Sequence, residues 1–379
     1  MLVPTGGAWR KIALGAFPLA LLTGPALAAD PIAIADEIVA ALVDEARTAT
    51  YETATAVGEV VTITNLVITD TENGIAGTVA VIVVTNPVEV ETGGFTAELM
   101  VLSNGNLTAL ANTVRFENIE LSNIVIPPVA DLDAEDKPPI PVSDMIAIGL
   151  RLEPPEGNPL VIERMEMHLT KVGEDVPYSV AVTLNGVEVP LSLGGDSQAV
   201  QLIRDLGFET LFMDFAVAGN YDSPNDTLNV ESVVIDIRDL GHIEVAGVVT
   251  GVAFGQLQEP GGPEEILAAA MVNNVTIRFV NGGAMEAFLR EQAQLTNLQP
   301  QDVAFGLAAA FQIFLRTLEN PTLERQVGQA VGAFLRDPRA LTVVAAPPEP
   351  APLMEVIGLL LTAPTIVPSL LNIVVTAND

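Results

Sequence analysis

The sequence predicts an α+β protein: an extended, strongly curved antiparallel β-sheet, arranged as a meander, with a C-terminal helical subdomain packed on it. From residue 57 to about residue 283, apolar and polar residues alternate with a period of two, which is typical of strands with one covered face. From residue 284 onward, apolar residues recur at the spacing of amphipathic helices. Aromatic residues make up only 4% of the chain, so we expect an aliphatic core.

The first 28 residues have the composition of a secretory signal peptide. Arg10 and Lys11 precede an apolar run over residues 12–22, and small residues close the segment at Ala26-Leu27-Ala28. The run is too short to cross a bilayer about 30 Å thick, and Pro18 interrupts it. We therefore predict cleavage near Ala28 and a periplasmic location for the mature protein.

Residues 29–56 are predicted to form a short amphipathic helix and a linker. Ile34, Ile38, Leu42 and Ala46 are four residues apart and form one apolar stripe. Acidic residues occupy much of the remaining helix surface, so we expect the stripe to dock on the sheet rather than on a membrane.

The predicted sheet region spans residues 57–283. In its first strand, Val61, Ile63 and Asn65 alternate with Thr62, Thr64 and Leu66. The run Val79–Val84 is almost entirely apolar, which is typical of a strand covered on both faces.

Turns and one long loop are predicted to interrupt this sheet. Asn-Gly pairs tolerate positive φ, so they predict hairpin turns at residues 73–74, 104–105, 185–186 and 281–282. Residues 127–143 are rich in proline and acidic side chains, which oppose strand pairing and burial. This segment is predicted to be an exposed loop, lying either within one sheet or between two sheet halves.

The predicted helical subdomain spans residues 284–379. It ends in a strand, Leu371–Ala377, which we expect to rejoin the sheet. Residues 353–375 have the length and apolar content of either a buried helix pair or a membrane anchor. Glu355, Pro364 and Pro368 favour the buried pair, so we predict no transmembrane span in the mature chain.

Composition excludes several chemistries. The chain has no cysteine, so it has no thiol nucleophile and no zinc–thiolate site. Its formal net charge of −32 disfavours binding to nucleic acid. No nucleotide or metal motif occurs, and we expect neither a cofactor nor a metal ion.

The two histidines are the remaining candidates for acid–base chemistry. His168 shares strand parity with Glu166, so the two form either a carboxylate–imidazole pair or an ordinary polar strand face. His242 follows the predicted turn Asp239-Leu-Gly241, and we expect it to be exposed there.

The second half of the chain carries a recognisable series of segments. These are Leu206-Gly-Phe-Glu209, Asn220-Tyr-Asp222, Asp226–Glu231, Asp239–Gly247, Phe334–Thr342 and Leu371–Asn378. Over about residues 180–379 the sequence resembles uncharacterised exported proteins of Gram-negative bacteria. The resemblance implies a shared fold and a periplasmic setting, and it transfers no catalytic residue.

Together these patterns predict a non-enzymatic protein that binds an apolar, lipid-like ligand or an envelope protein. A curved sheet with an aliphatic concave face would hold an acyl chain, which is an argument from fold. The expected groove residues are Val79, Val81, Val83, Met213, Phe215, Val217, Leu307, Phe311 and Phe314. The sequence leaves open a scaffolding envelope protein without ligand, a hydrolase built around one of the histidines, and the oligomeric state.

Overall fold

The computed structural model describes residues 30–43, 47–70, 74–90, 94–109, 112–126, 142–171, 178–195, 197–253, 262–316 and 320–379. The predicted signal peptide and most of the predicted loop 127–143 lie outside these residues. The chain divides into two compact units, Met1–Thr170 with Val182–Val200, and Lys171–Ala181 with Gln201–Asp379. The predicted α+β class is confirmed, because the strand pairs are antiparallel and helices concentrate in the C-terminal region.

The first unit is built on one amphipathic helix and a series of long strands. In chain order these are α1 (Pro31–Leu42), β1 (Arg47–Thr50), β2 (Thr53–Val57), β3 (Val60–Asp70), β4 (Ile75–Thr85), β5 (Val88–Glu89), β6 (Phe95–Ala109), β7 (Asn112–Ile126), β8 (Asp144–Glu153), β9 (Leu160–Lys171) and β10 (Tyr178–Pro190), of which Lys171 and the first four residues of β10 belong to the second unit. Strands β1 and β2 both pair with β3, and pairing continues from β3 through β4, β6, β7 and β8 to β9.

The second unit combines antiparallel strands with most of the helices. In chain order these are α2 (Gln198–Asp205), β11 (Thr210–Asp222), β12 (Thr227–Ile237), β13 (Gly241–Thr250), α3 (Gly262–Ala269), β14 (Met271–Asn281), α4 (Ala284–Thr296), α5 (Pro300–Arg316), α6 (Pro321–Arg336), β15 (Ala340–Ala345), β16 (Ala351–Pro352), α7 (Leu353–Thr362), α8 (Val367–Leu370) and β17 (Val374–Ala377). Pairing runs from β11 through β14 to β15 and β17. The predicted C-terminal strand therefore rejoins the sheet, as expected.

The core of the first unit lies between α1 and the sheet. Asp30 caps the helix by accepting a hydrogen bond from the Ile32 amide at 3.0 Å, and Pro31 starts it without needing a donor. Ile34 and Ile38 are buried against strand residues such as Val84 and Phe95. This confirms that the apolar stripe docks on the sheet. The helix ends at Leu42, and the fourth predicted stripe residue, Ala46, lies outside the described residues.

A row of left-handed residues crosses the sheet of the first unit. Asn65, Asn104, Gly149 and Gly186 have φ between 51° and 66° and stand on β3, β6, β8 and β10. The strand pairing leaves Ala80 of β4 opposite both Asn65 and Asn104, and Glu117 of β7 opposite both Asn104 and Gly149. Left-handed residues therefore occupy alternate strands at one level of the sheet.

This row shifts the alternation of side chains by one residue. In β3, Val61 and Ile63 are buried on one side of the row, and Leu66 is buried on the same face beyond it. The predicted placement of Asn65 with Val61 and Ile63 is therefore wrong, because its φ of 51° reverses the pleat before Leu66. The partner strand shifts at the same level, since Val79 and Ile82 are both buried. One face thus stays apolar on both sides of the row.

Three of the predicted Asn-Gly hairpin turns are wrong, and Asn73 of the fourth, at residues 73–74, lies outside the described residues. Residues 104–105 lie inside β6, and residues 185–186 lie inside β10. Asn104 and Gly186 adopt positive φ within their strands, as members of the row of left-handed residues, and the chain does not reverse there. Asn281-Gly282 instead joins β14 to α4, where the Asn281 side chain accepts a hydrogen bond from the Met285 amide at 3.0 Å.

The helices of the second unit pack on one another and on the sheet. Leu289 and Ala293 of α4, Val303 of α5 and Leu335 of α6 form a shared core. Helix α6 also packs against β15 and β17, and Phe334 meets Phe279 of β14 edge to face at a centroid distance of 6.0 Å. The predicted packing of the helical subdomain on the sheet is confirmed.

Residues 353–375 form two short helices and the start of the last strand. Helix α7 buries Val356 but exposes much of its remaining surface, so the predicted buried helix pair is wrong for α7. Among the described residues, no helix combines the length and the apolar composition needed to cross a membrane.

Replacing Gly105 should destabilise the first unit. A Cβ at this position would lie 1.8 Å from the ring of Phe116, which is partly buried against the core. We expect Gly105→Ala to lower the free energy of unfolding by about 1–3 kcal/mol, because the ring must be displaced. Urea unfolding measures this effect.

The matched control for that experiment is Gly306→Ala in α5, where no atom lies within 4 Å of the new Cβ. Alanine is the better helix former, so this variant should gain up to about 1 kcal/mol. Equal stability of Gly105→Ala and the parent protein would show that the ring does not need the glycine.

Candidate functional site

The most distinctive surface of the second unit is one face of its sheet, which we term the apolar face. Directly paired residues of an antiparallel sheet share a face. The pairing therefore aligns Phe215, Ile235, Ile243, Phe279 and Leu341 across five strands. Neighbouring residues on the same face are Met213, Val217, Val233, Ile237, Val245, Val275, Ile277 and Val343.

The apolar face is aliphatic but not enclosed. Each of these side chains is half-buried or exposed, and Ile243 and Ile277 are 38% and 43% exposed. Five strands about 4.8 Å apart make a surface about 19 Å wide. Over this width the named residues present only hydrocarbon and thioether side chains, and none of them is charged.

The opposite face of the same strands is polar. Asp214, Asp236 and His242 are paired in succession on β11, β12 and β13, and Glu244 lies opposite Arg278. His242 is the second residue of β13 and is half-buried, so its predicted place in an exposed turn is wrong. The alternation of the strands therefore separates all these charges from the apolar face.

Helices border the apolar face on two sides. At the β15 side, Phe334 of α6 lies on Phe279. At the far end of β12 and β13, Leu228 and Val249 pack against a buried cluster that contains Ile266 of α3, and Leu353 of α7 packs against the same cluster. Ile243 and Ile277 stay exposed between these two contacts.

The predicted groove residues are distributed over several surfaces. Val79, Val81 and Val83 lie on β4 in the first unit, where Val79 is part of the core and the other two are half-buried. Met213, Phe215 and Val217 come together on the apolar face. On α5, Leu307 packs on the helical core, whereas the rings of Phe311 and Phe314 are 6.1 Å apart and Phe314 is 58% exposed.

Sequence reasoning missed the central residues of the apolar face. Ile235, Ile243 and Ile277 have the same alternation as Met213, Phe215 and Val217, in strands that follow directly. Extending the period-two pattern from β11 into β12, β13 and β14 would have identified them.

A second, polar cluster lies on β8 and β9 of the first unit. His168 Nδ1 contacts the Asp144 carboxylate, and the Thr170 hydroxyl lies 2.9 Å from His168 Nε2. Ser143 donates to Asp144 at 2.6 Å. The predicted pair of His168 with Glu166 does not form, because Asp144 lies directly across from His168 and Glu166 pairs with Arg164.

The polar cluster has the connectivity of a hydroxyl, an imidazole and a carboxylate. Hydrolase triads use that order, but they enclose it beside preorganised donors for the oxyanion. Here the His168 side chain is 60% exposed on an open strand face. The Ser143 hydroxyl lowers the pKa of Asp144, burial opposes this shift, and His168 adds to the lowering.

A shallow cavity of about 410 Å³ lies where α4 turns into α5. Arg290, Gln294, Asn297 and Gln299 provide most of its polar lining. Among the described residues, no group of three or more His, Asp or Glu side chains could hold a metal ion.

The Ser143 hydroxyl should control the titration of Asp144. We expect Ser143→Ala to raise the pKa of Asp144 toward its ordinary value, since the serine hydrogen bond is the largest single cause of the lowering, and His168→Gln to raise it as well, since His168 lowers it through a hydrogen bond and its charge. Carbon-13 NMR of the carboxyl group measures both shifts.

The same substitution should change the pH dependence of stability. A carboxyl group with a lowered pKa stabilises the folded state above its ordinary pKa, and this contribution disappears as the pH falls through the lowered pKa. The stability difference between the parent and Ser143→Ala should therefore shrink at acidic pH. A difference that grows on acidification would contradict this account.

Comparison with known proteins yields a partial match. A family model described as an uncharacterized protein matches residues 234–378, which extend from the middle of β12 to the end of β17. The match includes β13, β14 and β15 of the apolar face and all of α7. The search of curated proteins gave no significant match.

Proposed function

We propose that the protein is a non-enzymatic binding protein of the periplasm whose apolar face holds the acyl chain of a lipid or fatty acid. The observation that carries the proposal is the apolar face itself, with Ile243 and Ile277 exposed at its centre. Exposed apolar surface of this extent is unfavourable in water and marks binding sites.

The composition of the apolar face favours a hydrocarbon chain over a protein partner. The residues that dominate protein–protein binding are Trp, Tyr and Arg. The central rows of the apolar face contain none of them and consist of Val, Ile, Leu, Met and Phe. A hydrocarbon chain needs no hydrogen-bond partner, so this surface matches its chemistry.

The sequence supports the periplasmic part of the proposal. Arg10, Lys11, the apolar run 12–22 and Ala26-Leu27-Ala28 are typical of export. The resemblance to exported proteins of Gram-negative bacteria implies a setting between two membranes, whose lipids carry acyl chains. A scaffolding role without ligand is the competing function.

Native mass spectrometry of the mature protein purified from periplasm, followed by organic extraction, tests the proposal. We expect a bound fatty acid or phospholipid, and uptake of added palmitate by delipidated protein. A mass that stays that of the free protein after incubation with palmitate would overturn ligand binding and favour scaffolding.

A pair of variants on one strand tests the place of binding. Ile277→Asn puts a polar group on the apolar face and should weaken palmitate binding about tenfold, which corresponds to about 1.4 kcal/mol. Thr276→Asn is the matched control, because Thr276 is the preceding residue of β14 and belongs to the opposite face. Equal losses in both variants would place the ligand elsewhere.

A further inference from the structure

Helix α7 exposes a second aliphatic surface, which we term the α7 patch. It consists of Met354, Ile357, Leu360 and Leu361, which are 49%, 39%, 54% and 81% exposed. The helix is anchored by Val356, which is buried with Ala351, Val367 and Leu371. The residues of the α7 patch stay exposed beside these contacts.

The α7 patch adjoins the end of the apolar face. Leu353, the first residue of α7, packs against the same buried cluster around Ile266 of α3 as Leu228 of β12 and Val249 of β13. Both strand residues belong to the face that carries Ile235 and Ile243, because Leu228 pairs directly with Val249 and the alternation of β13 continues from Ile243. One helix thus connects the end of the apolar face to an exposed aliphatic surface.

We propose that the α7 patch inserts into the surface of a zwitterionic lipid bilayer and that the apolar face takes its ligand there. The second half of this proposal rests on the proposed function. A helix of ten residues is about 15 Å long, so it lies in the interface and does not cross a bilayer about 30 Å thick. Helices of this kind bury their apolar side among the headgroups and upper acyl chains.

Charge determines which bilayer fits. Glu355 is exposed on α7, the helix carries no basic residue, and the whole chain has a formal net charge of −32. An anionic surface would repel the protein, whereas a zwitterionic surface imposes no such cost. Binding must then come from burial of aliphatic area, which is insensitive to salt.

Flotation of the mature protein with phosphatidylcholine vesicles tests this proposal. We expect the parent protein to float with the vesicles at low and high salt, and to bind less when phosphatidylglycerol is added. The double variant Leu360→Ser with Leu361→Ser should lower the vesicle partition coefficient at least about tenfold, since two exposed leucine side chains no longer leave water.

The control variant is Phe305→Ser with Ile313→Ser on α5. These residues are 76% and 65% exposed, so the control removes a comparable amount of exposed apolar surface from another helix. It should float like the parent. Equal loss of flotation in both double variants, or a parent protein that does not float, would overturn the role of the α7 patch. So would a dimer that sedimentation detects in the parent and not in the α7 variant.

Uptake of palmitate in solution separates this proposal from the proposed function. A protein that binds palmitate but does not float keeps its ligand site and loses the membrane role of the α7 patch. A protein that floats but takes up no palmitate keeps the membrane role and loses the ligand site. Unchanged urea midpoints in the double variants show that the differences arise at the surface.

Discussion

The structure of the first unit depends on one constraint: a left-handed residue in one strand must be matched by a shift of the side-chain alternation in the neighbouring strands. A single such residue would move every following side chain to the other face of the sheet. Asn65, Asn104 and Gly149 avoid this result because they stand at the same level on alternate strands. The buried apolar side chains on both sides of the row therefore lie on one face of the sheet. Helix α1 buries Ile34 and Ile38 against that face.

The second unit reaches a similar result with bulges. The pairing of β12 shifts between Val230 and Val233, and the pairing of β14 shifts around Asn273. Asn220 donates to Glu231 at 2.9 Å and so ties β11 to the bulged segment of β12. Beyond the β12 bulge, Leu228 and Val249 continue the face that carries Ile235 and Ile243. The apolar face consequently extends from the strand centres to α3 and α7.

The helices then determine how much of the apolar face is exposed to water. Helix α6 packs on β15 and β17, and the cluster of α3 and α7 encloses the far end of β12 and β13. Ile243 and Ile277 lie between these contacts and keep more than a third of their surface exposed. A net charge as large as the −32 of this chain favours solubility, which offsets the exposure of aliphatic surface.

The sequence by itself determined the α+β class, the docking of α1, the helical C-terminal region and the return of the last strand, because each of these depends on periodicity within one segment. The sequence also determined that Met213, Phe215 and Val217 lie on one face, since residues two apart on a strand share a face. Only the tertiary structure decided that Asn104-Gly105 continues a strand, that Asp144 and not Glu166 pairs with His168, and that Ile235, Ile243 and Ile277 complete the apolar face. Each of these depends on the register between strands, which arises from contacts between residues far apart in the chain.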